Sequence, residues 1–284
     1  MKILGVSTLA IKNIMGVEVS SDEPGVIKTV VMDPALPEWS TDVPNAMAGG
    51  SLRFPQTMYN LTTDNAALGC LDVPYASGGR PSGSVWSVQA WFRKTGGDGH
   101  NRVIWSLGGG GYANGSAHYI WNNQTPYWNI SDNGSGEYIT NNSPAAYVTN
   151  TWYHVVCTKA ADGSNNGKIY INGTLQSSKL SIATYVVDTS GSFTVGLRNS
   201  RFDGNRDRGF VGNITEVCFW NVALDQGAVD NLYNEGDGAI ADTVSGSNIA
   251  GYWRMLEGSG ITVSGSATGS AYDGTLKTFR TDQI

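Results

Sequence analysis

The chain has 284 residues, with 24 acidic and 18 basic side chains and a formal net charge of -6, and its pI is near 5.0. That balance offers no counterion-release drive toward a phosphate backbone, and no basic stripe interrupts it, so nucleic acid is excluded as the expected partner. Charged residues make up only 15% of the chain, against about 25% in an average soluble domain, so neutral polar residues carry the solubility.

The length suits one large all-β domain or two ordinary ones. Glycine occurs 37 times alongside 9 Trp, 13 Tyr and 7 Phe. Gly and Asn tolerate the positive φ of tight turns, and aromatic rings pack on pleated surfaces, so many short strands are expected in place of long helices. Cys70, Cys157 and Cys218 are too few and too widely spaced for a disulfide framework or a CxxC metal site, and are expected as buried free thiols. The apolar start, Met1 to Ile11, is interrupted by Lys12 without a small-x-small cleavage site, so export through it is not expected. No run approaches the ~20 apolar residues of a membrane span, so the chain is expected to be soluble, without membrane insertion.

Residues 1–48 read as an extended N-terminal arm. Pro24, Pro34, Pro37 and Pro44 fall between short apolar pieces, and Lys2-Ile-Leu-Gly-Val6 is echoed by Asn13-Ile-Met-Gly-Val17. Short apolar strands of this kind need a partner surface to be buried, so the arm is expected to serve attachment or oligomerisation.

From Gly50 onward, apolar and polar positions alternate between turn residues, the pattern of half-buried antiparallel strands. Strands are expected at Ser51 to Phe54, Ala67 to Val73, Trp86 to Arg93, Arg102 to Leu107, Ala117 to Trp121 and Tyr127 to Ser131. Further ones are expected at Trp152 to Lys159, Lys168 to Ile171, Phe193 to Leu197 and Asn213 to Trp220. So many strands without interleaved helices argue for a sandwich. Asn172-Gly173, after Tyr170-Ile171, is a strong hairpin dipeptide. One short helix is expected after Leu224, with Asp225 as N-cap, Leu224 and Val229 as its hydrophobic staple, Gly236 closing it, and Val229, Leu232 and Tyr233 as its apolar face. Gly251 to Met255 then reads as one more strand, followed by a loop ending near Asp273 to Leu276.

Five segments together resemble the laminin G-like, concanavalin A-like lectin/glucanase superfamily: Ser51-Leu-Arg-Phe54; Trp86-Ser-Val-Gln-Ala-Trp-Phe92; Thr151-Trp-Tyr-His-Val-Val156; Lys168-Ile-Tyr-Ile-Asn-Gly173; and Gly212 to Asn221 with Leu232-Tyr-Asn-Glu-Gly236. The resemblance implies an antiparallel jelly-roll β-sandwich over residues 49–284, including a C-terminal companion strand. Gly251 to Val263 and Tyr272 to Leu276 look like a companion motif that precedes the sandwich in many relatives and here follows it. With the arm in front, that arrangement is similar to laminin G-like proteins of tailed bacteriophages.

Hydrolysis in this fold needs two carboxylates flanking the scissile bond, and on a strand these would stand at alternate positions. Glu216 has no acidic residue within four positions, so it reads as a structural carboxylate bonded across the sheet, and the chain is not expected to be an enzyme. His100, His118 and His154 fit no zinc pattern, and His154 alternates with Trp152 and Val156 as a packed sheet residue. Gly108 to Gly111 lacks the Gly-Lys-Ser/Thr of a phosphate loop. Asp203, Asn205 and Asp207 place oxygens at alternate positions, as calcium loops do; Ca2+ there stands beside the alternative of an ordinary polar turn. Tyr119, Trp121 and Tyr127 lie in a Gly/Asn-rich stretch where flat rings beside amides suit sugar stacking, although sandwich cores also consume aromatics.

The expected function is a non-catalytic virion structural protein, a capsid or tail decoration or fibre, at the virion surface after assembly in the host cytoplasm. Its expected partners are other virion proteins through the arm, a host glycan, and further copies of itself. The alternative is a carbohydrate-binding lectin module of a secreted or cell-surface bacterial protein, and hence extracellular.

Overall fold

Alternation becomes strand almost wherever the sequence shows it. The computed structural model describes residues 36–45, 47, 49–55, 67–74, 83–96, 101–108, 116–120, 124–132, 135–140, 146–161, 166–179, 192–198, 208–266 and 272–280. In chain order the first strands are β1 (Glu38–Ser40), β2 (Ser51–Pro55), β3 (Ala67–Val73), β4 (Trp86–Lys94), β5 (Arg102–Leu107), β6 (Ser116–Ile120), β7 (Pro126–Asp132) and β8 (Ser135–Thr140). Next come β9 (Trp152–Lys159), β10 (Gly167–Ile171), β11 (Thr174–Lys179), β12 (Phe193–Val195) and β13 (Val211–Trp220). Helix α1 (Gln226–Tyr233) follows, then β14 (Ile249–Trp253), β15 (Thr262–Val263) and β16 (Gly274–Arg280).

The first sheet runs β1-β2-β13-β4-β9-β10-β11, with β14 also paired to β13; the second runs β15-β16-β3-β12-β5-β6-β7-β8. The two sheets pack face to face, each contributing alternate residues to one core. Trp86 of the first sheet sits edge-on against Trp105 and Trp128 of the second, with ring centroids 6.4 and 5.6 Å apart. The Trp128 Nε1 donates to Ser116 Oγ at 2.8 Å, which satisfies its polar end inside the core. The expected all-β antiparallel sandwich with one short helix is present.

Four expectations need amendment. Glu38–Ser40 pair with β2, so the first sheet already includes residues placed in the arm. Where the loop was expected to end, near Asp273 to Leu276, the chain enters β16, because its Leu276 finds Leu71 directly across on β3, a long-range partner that local turn residues do not announce. The helix ends at Asn234, whose left-handed φ of 46° makes it the C-cap, so Gly236 does not close it. Strands β8 and β11 add to those expected. Residues 1–35 of the arm lie outside the described residues.

The three cysteines are buried and form no disulfide among the described residues, as expected. Two histidines are buried as well. His118 lies between the sheets with Nε2 3.2 Å from the Tyr147 hydroxyl and Nδ1 3.7 Å from Cys157 Sγ. Burial pulls the His118 and His154 pKa values from 6.5 down to about 3. Between those values the unfolded chain binds protons that the folded chain refuses, so stability is complete above about pH 6.5 and falls as pH drops toward 3. The expected loss is about 2 kcal/mol per histidine at about pH 5. Urea denaturation across this window should show that slope, and His118→Gln should remove about half of it; identical slopes in both proteins would contradict the buried neutral imidazole.

Candidate functional site

The outer face of the first sheet carries large apolar side chains among its polar ones. Strand β4 turns Trp86, Val88, Ala90 and Phe92 into the core, which leaves Gln89, Trp91 and Arg93 outside, with Trp152 and His154 beside them on β9. On β13 a bulge sets Glu216 at φ 51°, and the register with β4 slips between Thr215 and Cys218. The extra residue lets Val217 point inward and keeps the carboxylate out of the core. Glu216 is held across the sheet by the Tyr252 hydroxyl and by Arg254, whose Nε lies 3.2 Å from Oε1. Burial is the largest influence on Glu216 and raises its pKa.

Residues 222–248 cap this face. Val229 and Leu232 of α1, together with Leu224, Ala241 and Val244, bury Val156, Tyr170, Cys218, Trp220 and Tyr252. Polar ties fix the cap. Ser87 Oγ donates to Val222 O at 2.8 Å and accepts from Leu224 N at 2.9 Å, and Trp220 Nε1 donates to Val244 O at 3.0 Å. Asp225 caps the helix by accepting from Ala228 N at 2.8 Å.

Where α1 ends, the cap stops short and a cavity of about 360 Å3 remains. Its aromatic lining is Trp91, Trp152 and Tyr233, and its amide lining is Asn45, Asn150 and Asn172. Trp91 stacks on Tyr233 with centroids 6.0 Å apart and on His154 at 4.9 Å. Gly173, at φ 77°, lies under the Tyr233 ring, where an added Cβ would come within 2.9 Å of Cδ1. The Asn172 side-chain oxygen accepts from His154 N at 2.9 Å, while the Asn172 backbone N–H donates to His154 O at 2.9 Å. Asn45 Nδ2 donates to Gly236 O at 2.9 Å and so ties the chain ahead of β2 to the end of the cap.

Asp42 positions Trp152. Its Oδ1 accepts from Trp152 Nε1 at 3.3 Å, its Oδ2 pairs with Arg93, and the Arg93 guanidinium lies 6.0 Å from the Trp152 ring centre. Beneath them, Gln89 Nε2 donates to Glu216 O at 3.3 Å, so Gln89 Oε1 faces His154 Nε2 at 3.0 Å. That places the His154 proton on Nε2 and leaves Nδ1 as an acceptor. Neither His154 Nδ1 nor the Trp91 indole N–H has a partner among the described residues, although both are buried.

The residues expected to contact sugar lie elsewhere. Tyr119 and Tyr127 are cross-strand neighbours on β6 and β7 of the second sheet, and half-buried Tyr127 packs against Val103 and Ala117. Trp121, and the calcium candidates Asp203, Asn205 and Asp207, lie outside the described residues. Among the described residues no group of three His, Cys, Asp or Glu side chains is placed to hold a metal, and no helix is long and apolar enough to cross a membrane. Sequence reasoning overlooked Trp91, Trp152 and Tyr233 as site residues. The available signal was Gln89-x-Trp91-x-Arg93 beside Trp152-x-His154, large rings on the polar register of strands whose other register is apolar.

The sequence pattern of the concanavalin A-like lectin/glucanases superfamily, in its laminin G-like form, matches residues 72–230. The chain belongs to that superfamily. No curated protein matches the chain by sequence. Among solved structures it is similar to a candidate carbohydrate-binding protein from Bacteroides ovatus, at 20% identity and a TM-score of 0.51, over 80% of this chain and 61% of that one. The chain thus matches less than two thirds of that relative's length. A heptameric SAP-like pentraxin from Limulus polyphemus aligns at 14% identity and TM-score 0.46, covering 86% of this chain and 97% of the pentraxin. The CBM40 of a Ruminococcus gnavus IT-sialidase, bound to α2,3-sialyllactose, aligns at 19% identity and TM-score 0.42, covering 51% of this chain and 80% of that module.

Gly173→Ala should lower stability by about 1–2 kcal/mol, because alanine resists the left-handed backbone and its methyl meets Tyr233. Urea unfolding with near-ultraviolet circular dichroism checks this; an unchanged midpoint would mean that Tyr233 is not seated on Gly173.

Proposed function

We propose that the chain is a carbohydrate-binding lectin module whose site is the cavity at Trp91, Trp152 and Tyr233. The observation that carries this reading is the convergence of flat aromatic rings with the amides of Asn45, Asn150 and Asn172 around one small cavity. Sugar rings present apolar C–H faces to aromatic planes and rims of hydroxyls to neutral donors and acceptors, and this lining supplies both. Its volume lies near the lower end of the ~300–1,000 Å3 typical of small-molecule sites, which fits a short sugar segment. The superfamily and the description of the Bacteroides ovatus relative as a carbohydrate-binding candidate support the same reading. An extracellular setting, on a secreted or cell-surface protein, accompanies it.

Binding without cleavage is the proposed role. Asp42, which holds the Trp152 wall of the cavity, is already engaged by Arg93 and Trp152, and Asp230 near Gly173 accepts from Gln226, whereas glycoside hydrolysis requires a pair of carboxyl groups free to face the scissile bond. Virion display, the other expectation, depends on the arm and on the order of the terminal motifs, and no feature of the cavity favours it.

A glycan array probed with the wild-type chain should show a defined set of bound sugars. Trp152→Ala should weaken the strongest of these by about tenfold or more, the consequence of losing one stacked ring. Binding that survives Trp152→Ala and Tyr233→Ala unchanged would remove the cavity from the reading, and an array without any bound glycan would overturn the lectin function.

A further inference from the structure

We infer that the cavity takes an uncharged sugar unit directly, without a bridging metal ion. This inference rests on the carbohydrate-binding reading of the same cavity. It is carried by how each polar group around the site is already committed.

Asp42 and Arg93 are the charged side chains tied to the aromatic wall. Each answers the other, and Asp42 also holds Trp152. A carboxylated or sulfated sugar entering here would lose hydration without gaining an uncommitted cation, and an unpaired charge in such a site is costly. The net charge of -6 opposes anions further. A calcium ion needs six to eight oxygens, carboxylates usually among them. Asp42 has one oxygen on Trp152 and one on Arg93, and the amide lining offers a mixture of donors and acceptors unsuited to an all-oxygen cage.

The amides suit hydroxyls instead. Asn172 commits its oxygen to His154 N and Asn45 commits its Nδ2 to Gly236 O, which among the described residues leaves the Asn172 Nδ2 as a donor and the Asn45 oxygen as an acceptor. A sugar hydroxyl, which both donates and accepts, can use either.

Trp91 contributes its ring to the cavity lining and is stacked on both His154 and Tyr233, whereas its indole nitrogen is closed off from solvent.

Calorimetric titration of the full chain tests this, using lactose with α2,3-sialyllactose and a set of neutral gluco-, galacto- and manno-oligosaccharides, each in calcium and in EDTA. The expected result is binding of at least one neutral sugar with equal affinity in both buffers, and weaker or no binding once that sugar carries a carboxylate. Binding that vanishes in EDTA, or that is confined to acidic sugars, would overturn this inference while leaving the lectin reading intact. Absence of binding to every sugar would overturn both.

Discussion

The constraint on which the rest depends is that the central strands of the first sheet are buried on both faces. One face of β4, β9 and β13 builds the sandwich core with Trp86, Val155 and Phe219. The other presents Trp91, Val156, Cys218 and Trp220, which water would solvate poorly. Each large apolar side chain covered gains roughly 1.5–3 kcal/mol. That gain explains why residues 222–248 leave the sandwich, lay Val229 and Leu232 on the sheet, and return as β14 along the same edge of β13 that β2 occupies farther on.

Covering such a face also buries polar groups, and their partners determine where the cap can sit. The bulge at Glu216 sends a carboxylate toward Tyr252, and the Tyr252 hydroxyl in turn accepts from Ala241 N at 3.2 Å. The bulged residue's carbonyl orients Gln89, and Gln89 orients His154. At the end of α1 this network stops, and Trp91 Nε1 and His154 Nδ1 are buried there without a partner among the described residues, as Trp86 Nε1 and Trp105 Nε1 are in the sandwich core. The cavity is the place where the cap runs out, with Trp91, Trp152 and Tyr233 along its wall.

The sandwich was largely legible in the sequence because a strand reveals itself through neighbours two residues apart. Ala67 to Val73, Arg102 to Leu107 and Trp152 to Lys159 begin and end where the alternation does. Strand β16 was hidden because its reason for being a strand is Leu71 and the rest of β3, some two hundred positions earlier. The cavity was harder still to read. Asn172 was recognisable as a hairpin residue, but its grip on His154 exists only once β9 and β10 are paired. Asn45, Trp91, Trp152 and Tyr233 come from four separate segments, and only the rings of Trp91 and Trp152 on the polar register of their strands gave a local sign. The aromatic, Asn-rich run around Tyr119 and Tyr127 was conspicuous in composition, yet these residues stand on the second sheet, and Tyr127 is packed against Val103 and Ala117.

The indole N–H resonances of the 9 tryptophans offer the most direct measurement. Two-dimensional proton–nitrogen spectra, recorded while the chain is titrated with a glycan that it binds, report on each ring separately. The account predicts that the Trp91 and Trp152 signals move and saturate together while those of Trp86, Trp105 and Trp128 in the core stay in place. Saturation with the Trp91 and Trp152 signals unmoved, or with Trp121 moving in their stead, would contradict it.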